Sequence, residues 1–224
     1  MLKQIAIDGP AGAGKSTVAR QVARRLDWLY IDTGAMYRAI GLLALRAGVA
    51  LDDEDGLTEL ARRTRIELED GAEGYRVYAD GEDISAAIRT AEIGAAASPV
   101  SAVAGVREAL VAQQQAMAAA RAVVMDGRDI GTVVLPDAPC KVFLTATAEE
   151  RAARRTRELQ ARGIDADYQR IVAEINERDY RDSHRRHSPL MQAKDALLLD
   201  STELNIEQVV AAIIDYAGQK MGVL

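Results

Sequence analysis

Ten residues near the N-terminus have the types and spacing of a phosphate-binding loop. They run from Asp8 to Thr17 and read Asp-Gly-Pro-Ala-Gly-Ala-Gly-Lys-Ser-Thr. The glycines allow successive backbone N–H groups to turn inward around phosphate oxygens, Lys15 can reach the β and γ phosphates, and the Ser16 hydroxyl can bind a magnesium ion. The alternative is a glycine-rich turn without a ligand. We expect nucleotide contacts along the whole loop, at Gly9, Pro10, Ala11, Gly12, Ala13, Gly14, Lys15, Ser16 and Thr17.

Asp126 follows the apolar run 122–125 and is a second candidate for phosphate chemistry. A carboxylate at the end of a strand can orient water around a magnesium ion held by Ser16; the alternative is a strand-ending aspartate with no such role. The next residue is Gly127, where many ATP hydrolases place a glutamate that activates water. This favours transfer of phosphate to a bound acceptor over hydrolysis. The sequence also lacks the Asn-Lys-x-Asp element of GTP-binding switches.

Arginines form a third group with suitable chemistry. Ten arginines and no lysine lie between Arg151 and Arg186, among several acidic residues. Such a run usually forms a helix with exposed ion pairs. Arginine also matches phosphate oxygens with its planar pair of N–H donors. Because a phosphate-binding loop lies upstream, we expect some of these arginines to close over a bound triphosphate.

The elements that must hold these residues alternate between strand and helix. Five strands joined by helices predict an α/β fold with a parallel sheet covered on both faces, whose ligands collect at the carboxyl ends of the strands. From residue 65 to 84 apolar residues alternate around turn residues, which predicts short antiparallel strands. Apolar runs and helical spacing predict strands at 4–8, 28–32, 122–126, 140–144 and 196–200, and helices at 15–26, 35–48, 148–163, 167–182 and from 206 onwards, with further helix at 90–115 interrupted at Pro99.

Composition restricts the class of protein. With 224 residues and 49% hydrophobic content, the chain can bury a sizeable core as one domain. Its net charge of −6 argues against general nucleic-acid binding. No apolar tract of membrane-spanning length and no signal-peptide pattern occur, so we expect a cytoplasmic protein without membrane contact. A monomer is the default expectation, and Cys140, in a predicted strand, is expected to be a buried structural thiol.

Several separated motifs resemble those of bacterial cytidylate kinases, and the similarity extends over essentially the whole chain. The motifs at 32–38 and 126–132 are far more specific than the phosphate loop, which many ATPases share. The strings are residues 7–17, Asp-Thr-Gly-Ala-Met-Tyr-Arg at 32–38, Ile-Arg-Thr at 88–90, Val-Arg-Glu at 106–108, Asp-Gly-Arg-Asp-Ile-Gly-Thr-Val-Val at 126–134, Glu-Arg-Asp at 177–179 and Asp-Ser-Thr at 200–202.

The resemblance implies the α/β fold of P-loop nucleoside monophosphate kinases. This fold has a five-stranded parallel sheet with helices on both faces, all within a single domain, 1–224. It also implies an acceptor-nucleotide-binding subdomain at 35–105, which contains the antiparallel insert at about 65–84, and a short helical lid at 150–165. The activity implied is transfer of the γ-phosphate of ATP to CMP or dCMP, with Mg²⁺ as cofactor.

The resemblance also assigns expected roles to individual residues. Ion pairs without a ligand role remain the alternative for all of these arginines, above all for the i,i+4 pair Arg178 and Asp182. Ala11 stands where relatives often have serine. The expected catalytic group is Lys15, Arg128, Arg185 and Asp126; Arg38, Arg128 and Arg185 are expected to bind the acceptor phosphate, Thr33, Ser98, Arg107 and Asp129 the cytosine, Arg178 and Asp182 the sugar, and Arg151, Arg154 and Arg155 the ATP.

Two other functions stay open on the sequence. A kinase for another small acceptor, such as a different monophosphate or a coenzyme precursor, would also need the phosphate loop and the arginines. A nucleotide-binding regulatory module would keep Lys15 and Ser16 but would not turn over. The acceptor-side residues Arg38, Arg128 and Asp129 argue against the second function.

Overall fold

Strands and helices alternate along the protein, whose computed structural model describes residues 3–71, 74–161 and 163–222. In chain order its elements are β1 (Gln4–Asp8), α1 (Lys15–Leu26), β2 (Leu29–Asp32), α2 (Thr33–Ala47), α3 (Glu54–Arg63), β3 (Ile66–Gly71), β4 (Gly74–Ala79), β5 (Glu82–Asp83), α4 (Ala91–Val100), α5 (Ala104–Ala120), β6 (Val123–Gly127), β7 (Cys140–Thr145), α6 (Ala148–Ala161), α7 (Tyr168–His184), β8 (Leu197–Asp200) and α8 (Ile206–Met221).

Five of the strands form one parallel sheet, in the order β2-β6-β1-β7-β8. Every residue of β1 and of β6 is buried, and since successive side chains of a strand point to opposite faces, both faces of the sheet centre are covered. Asp8 at the end of β1 lies opposite Gly127 at the end of β6. The predicted α/β class and its five-stranded parallel sheet are therefore confirmed, and the strand ends meet at one edge.

The predicted antiparallel insert is also confirmed. Strands β3, β4 and β5 form a separate three-stranded antiparallel sheet. Asp70 of β3 makes ion pairs with Arg20 at 3.4 Å and Arg24 at 3.5 Å, both on α1. Residues 72 and 73 of the predicted turn lie outside the described residues, as does Arg162 of the arginine run. The insert thus docks on the helix that follows the phosphate-binding loop.

Several boundaries differ from the sequence predictions. Helix α2 begins at Thr33 rather than at residue 35, because the Asp32 carboxylate caps it by accepting from the Ala35 N–H at 2.9 Å. Helix α3 was not predicted, and a π-helical turn at Ile130–Val134 was also missed. Helix α4 ends one residue after Pro99, and α5 extends to Ala120.

Two helices have well-formed ends, and the cysteine lies in the core. Asn205 caps α8 in a reciprocal capping box with Gln208, and Gly48 ends α2 with φ of 69°. Cys140 is buried, and burial raises the pKa of its thiol to about 12. Within the described residues no single helix is long and apolar enough to cross a bilayer; only α4 and α5 taken together pass that test, and they meet at 103°.

Candidate active site

The phosphate-binding loop leaves β1 through a glycine that the fold requires. Gly9 has φ of +148°, and an added Cβ would lie 1.9 Å from the carbonyl oxygen of Leu144 on the neighbouring strand β7. Gly14, with φ of +84°, is the N-cap of α1. Because α1 begins at Lys15, its free N–H groups and the positive end of its dipole lie at the loop. The local geometry suits an anionic phosphate.

Lys15 lies folded over this loop, with its ammonium group donating to the Pro10 carbonyl at 2.7 Å. The side chain is buried, and burial together with the nearby Arg128 lowers the pKa of Lys15, whereas the carboxylates of Asp126 and Asp8 raise it. A triphosphate in the loop would stabilise the ammonium form. Lys15 is therefore positioned for phosphate contact from within the loop.

Asp126 lies at the centre of the site and accepts two side-chain hydrogen bonds. Ser16 Oγ donates to its Oδ2 at 2.9 Å, and the Tyr30 hydroxyl donates to its Oδ1 at 2.9 Å. Burial raises the pKa of Asp126 to about 6, and the charge of Asp32 acts in the same direction. The predicted pair of Ser16 and Asp126 is brought into direct contact.

A magnesium ion fits this donor set. Mg²⁺ prefers oxygen ligands, keeps several waters and uses few protein groups beside substrate phosphates. The hydroxyl of Ser16 and the carboxylate of Asp126 supply such oxygens side by side. Among the described residues no cluster of three His, Cys, Asp or Glu side chains could hold a metal alone, so the remaining ligands would be phosphate and water.

Asp32 organises the carboxyl end of β2. One carboxylate oxygen caps α2, and the other accepts from Arg38 Nη2 at 2.9 Å. Thr33 turns its hydroxyl to the backbone carbonyl of Asp126 at 2.8 Å. Two predicted acceptor-site residues, Arg38 and Thr33, are thereby held beside Asp126.

Asp129 lies between two arginines. Its carboxylate makes ion pairs with Arg107 and with Arg185, the second at 3.4 Å. The Arg107 guanidinium lies 5.6 Å from the ring centroid of Tyr37, a cation–π contact. Ser98, the fourth predicted cytosine residue, is half-buried on α4, where its carbonyl accepts from the Ser101 hydroxyl at 2.9 Å.

The pairing of the α7 residues differs from a simple i,i+4 ion pair. Asp182 pairs with Arg128, whose Nε lies 2.7 Å from the carboxylate, rather than with Arg178. Within the described residues Arg178 has no hydrogen-bond or ion-pair partner. Burial, followed by the charge of Arg128, lowers the pKa of Arg178, and Arg38 contributes in the same direction. The charges of Arg128, Arg38 and Arg178 thus lie close enough to act on one another.

The three predicted ATP-contacting arginines of α6 have different environments. Arg151 is buried and donates to Ala11 of the phosphate-binding loop and to Ala146, both at 2.9 Å, and pairs with Asp179 of α7 at 2.7 Å. Arg154 pairs with Glu150 and donates to Ser201 Oγ at 3.1 Å. Arg155 is exposed, and its one ion pair within the described part of the chain is with Glu158 on its own helix.

Gly127 has a steric reason to be glycine. A Cβ at this position would lie 2.6 Å from Ile130 Cδ1 and 2.7 Å from Thr33 Oγ1. Both distances are shorter than van der Waals contact. A side chain at this position, where many ATP hydrolases place a water-activating glutamate, could therefore fit only if Ile130 and Thr33 moved.

Two contacts of the site escaped sequence reasoning. Tyr30 holds Asp126, and Asp8 accepts from the backbone N–H groups of Ile130 and Gly131, each at 2.7 Å. The position of Tyr30 two residues before Asp32 offered one signal, since a buried strand tyrosine needs a hydroxyl partner. The partners of Asp8 lie more than 120 positions away, and no local pattern indicates them.

Comparisons with known proteins identify the family of this chain. The sequence model of the family described as cytidylate kinase matches residues 5–219. The curated cytidylate kinases of Desulforamulus reducens and of Exiguobacterium sibiricum are each 55% identical over 214 residues, which is 96% of this chain and 96% of their own length. A gluconokinase structure from Sinorhizobium meliloti 1021 has a TM-score of 0.50 at 14% identity, over 97% of this chain and 93% of that chain, and shows similarity of fold alone. The chain therefore belongs to the cytidylate kinase family.

Proposed function

We propose that the protein transfers the γ-phosphate of ATP to CMP or dCMP, giving ADP and the nucleoside diphosphate. The observation that carries this is the placement of Asp129 between Arg107 and Arg185, at the same sheet edge as the phosphate-binding loop. Cytosine presents an N4 amino donor beside the acceptors N3 and O2, whereas uracil presents O4 at the amino position. A carboxylate beside an arginine thus favours cytosine.

In this mechanism the residues position two nucleotides and neutralise charge. The loop from Gly9 to Thr17 would hold the ATP phosphates, with Lys15 on the β and γ groups. Arg38, Arg128 and Arg185 would hold the acceptor phosphate, and Arg178 and Asp182 the sugar. Transfer would be direct and in line, without a covalent intermediate, since positioning and electrostatic stabilisation supply the catalysis.

Ser16 and Asp126 would hold magnesium, the serine directly and the aspartate through water. The ion, when bound, would neutralise the charge that develops on the phosphates during transfer. The chain's own contribution is to fix the carboxylate between the hydroxyls of Ser16 and Tyr30 before the nucleotide binds. This fixation reduces the reorganisation needed at the moment of transfer.

We also propose, from the family, roles for two segments and for Arg151. The segment 35–105 would bind the acceptor, the segment 150–165 would close over ATP with Arg154 and Arg155, and Arg151 would act on ATP through the loop carbonyl it already contacts. We further propose that the protein works as a monomer in the cytoplasm, within pyrimidine nucleotide metabolism.

The test is a comparison of acceptors. ADP release is measured at fixed ATP and Mg²⁺ with CMP, dCMP, UMP, AMP and dephospho-coenzyme A, each over a range of concentrations. We expect CMP and dCMP to give the highest kcat/KM. An equal or higher kcat/KM with any of the other acceptors would replace the proposed substrate, and an absence of acceptor-stimulated ADP release would leave a binding module instead of an enzyme.

A further inference from the structure

The carboxylate of Asp8 joins the donor and acceptor halves of the site. Asp8 is the last residue of β1 and directly precedes the phosphate-binding loop. Its side chain is 96% buried, and its two oxygens accept from the backbone N–H groups of Ile130 and Gly131 at 2.7 Å each. Neither the sequence motifs nor the mechanism above gives this carboxylate a role.

The two N–H groups belong to the first turn of the π-helical segment Ile130–Val134. N–H groups at the start of a helix have no partner within it. Further along the turn, the N–H groups of Val133 and Val134 donate to the carbonyl of Asp129 at 2.9 and 3.2 Å. The side chain of Asp8 therefore accepts the free N–H groups at the start of a turn whose later N–H groups bond back to the Asp129 carbonyl.

The same turn sets the direction of the Asp129 side chain. Asp129 is the residue immediately before the turn, and its carboxylate meets Arg107 and Arg185. Gly131 packs so closely that an added Cβ would lie 3.4 Å from Asp8 Oδ2 and 3.1 Å from Lys141 Cδ. The turn is thus held from β1 on one side and from β7 on the other.

We propose that Asp8 is a positioning residue for acceptor recognition, which fixes Asp129 in register with the phosphate-binding loop through the backbone of Ile130 and Gly131. The inference rests on the proposed function, because it assigns Asp8 to the cytosine-reading side of that site. It predicts that disturbing Asp8 changes the binding and selection of the acceptor base more than the binding of ATP.

The ionised carboxylate is the form that performs this task. Burial raises the pKa of Asp8 to about 6, against the hydrogen bonds from Gly131 and Ile130, which lower it. At neutral pH both oxygens are therefore acceptors. An asparagine has the same shape but only one acceptor, so its amide N–H₂ would face a backbone N–H and push that end of the turn away.

The experiment compares Asp8→Asn with Lys141→Met in the full chain. Lys141 is a second buried charge against the same turn. Methionine keeps an apolar stem to pack against Gly131 and removes only the ammonium group, whose partners, the Pro136 carbonyl and Asp195, lie outside the site. For parent and variants, KM for CMP, KM for ATP and the ratio of kcat/KM for CMP over UMP are measured, together with the melting temperature. Gly131→Ala is the second variant, because its added Cβ would lie 3.1 Å from Lys141 Cδ, tighter than ordinary contact, and would therefore shift the turn while Asp8 itself stays unchanged.

For Asp8→Asn we expect KM for CMP to rise about tenfold, which corresponds to the loss of one charge-assisted hydrogen bond, and the CMP:UMP ratio to fall by a similar factor. KM for ATP should stay within about twofold of the parent, and Lys141→Met should lower the melting temperature without changing the CMP:UMP ratio. Gly131→Ala should act as Asp8→Asn does, more weakly, and decides the matter alone if Asp8→Asn does not fold.

The inference would be overturned if KM for CMP and the CMP:UMP ratio stayed unchanged in the variants. It would also be overturned if KM for ATP rose by the same factor as KM for CMP. A parent protein that does not select CMP over UMP would overturn the proposed function itself. The parent measurement therefore separates the two failures.

Discussion

The ring of Tyr75 packs against the ring of Tyr30, with centroids 4.8 Å apart and ring planes inclined at 51°. Tyr75 belongs to β4 of the antiparallel insert, and Tyr30 belongs to β2 of the central sheet. The Tyr75 hydroxyl accepts from the Asp32 N–H at 3.0 Å, and the Tyr30 hydroxyl donates to Asp126. This aromatic pair connects the insert to the carboxylate beside Ser16.

Tyr30→Phe removes the hydrogen bond to Oδ1 of Asp126 while keeping the ring. A hydrogen bond to a charged group contributes about 1.5 to 3 kcal/mol, so we expect a lower free energy of unfolding in urea and a lower kcat. Tyr75→Phe, the matched control, removes a hydrogen bond to a neutral N–H. It should lower the free energy of unfolding by about 1 kcal/mol and change kcat little. A larger loss of kcat in the control would contradict the assigned role of Tyr30.

Lys15→Met should reduce the rate of phosphate transfer by several powers of ten, because the cation that would meet the β and γ phosphates is gone. The fold should persist, since methionine fills the space of a buried aliphatic stem. Lys141→Met is the control, a buried lysine outside the site, and should keep the parent rate. Circular dichroism checks the fold, and a rate for Lys15→Met equal to that of the parent would rule out the mechanism.

Arg151→Ala should mainly reduce stability, whereas Arg155→Ala should mainly weaken ATP binding. Truncating Arg151 leaves Asp179 without its partner, which we expect to reduce the free energy of unfolding by about 3 kcal/mol, the lower end for a buried pair, because Asp179 is partly exposed. Arg155→Ala should change the free energy of unfolding by no more than about 0.5 kcal/mol and raise KM for ATP several-fold. Urea denaturation and initial rates measure the two effects, and equal destabilisation would contradict this distinction.

Asp126→Asn should increase stability at neutral pH while abolishing most activity. Burial raises the pKa of Asp126 to about 6 from 3.8, so the folded protein binds this proton more tightly than the unfolded chain does. The contribution of this group to stability therefore increases as the pH falls from about 6 towards 3.8, and at pH 7 the ionised carboxylate is destabilising.

The asparagine removes this destabilisation, and both hydroxyl partners can still bond to it. We expect the variant to be about 1 to 2 kcal/mol more stable than the parent at pH 7, with the difference vanishing near pH 4. Urea denaturation at both pH values measures this. A difference that does not depend on pH would show that the carboxylate is not strained by its burial.

Sequence patterns predicted the sheet because its strands are apolar runs with turn residues at their ends. The insert was predicted because residues 66–79 alternate in polarity around a turn, which helices do not do. Helix α3 escaped notice because it buries only Leu57, Leu60 and Ala61. The sequence does carry two signals for it, the Asp53 cap and the change from acidic Glu54 at its start to basic Arg63 at its end. A search for apolar spacing does not detect either signal.

For the site, motifs identified the residues but not their pairings. An i,i+4 ion pair of Asp182 with Arg178 was the alternative to a sugar-binding role, yet the guanidinium bonded to Asp182 is that of Arg128, 54 positions distant in the chain. Likewise, the contact of Arg151 with Ala11 joins residues 140 positions apart. Such pairings depend on how the sheet brings strand ends together, and single-sequence patterns report only local spacing.

The crowding at Gly127 also limits how this protein can change. A side chain at this position would meet Ile130 and Thr33, so a glutamate could enter only if those two neighbours moved or were replaced as well. A change from nucleotide kinase to ATP-hydrolysing enzyme through this position therefore carries the added cost of repacking its neighbours. The packing around Gly127 thus acts against a single substitution that would introduce a water-activating glutamate.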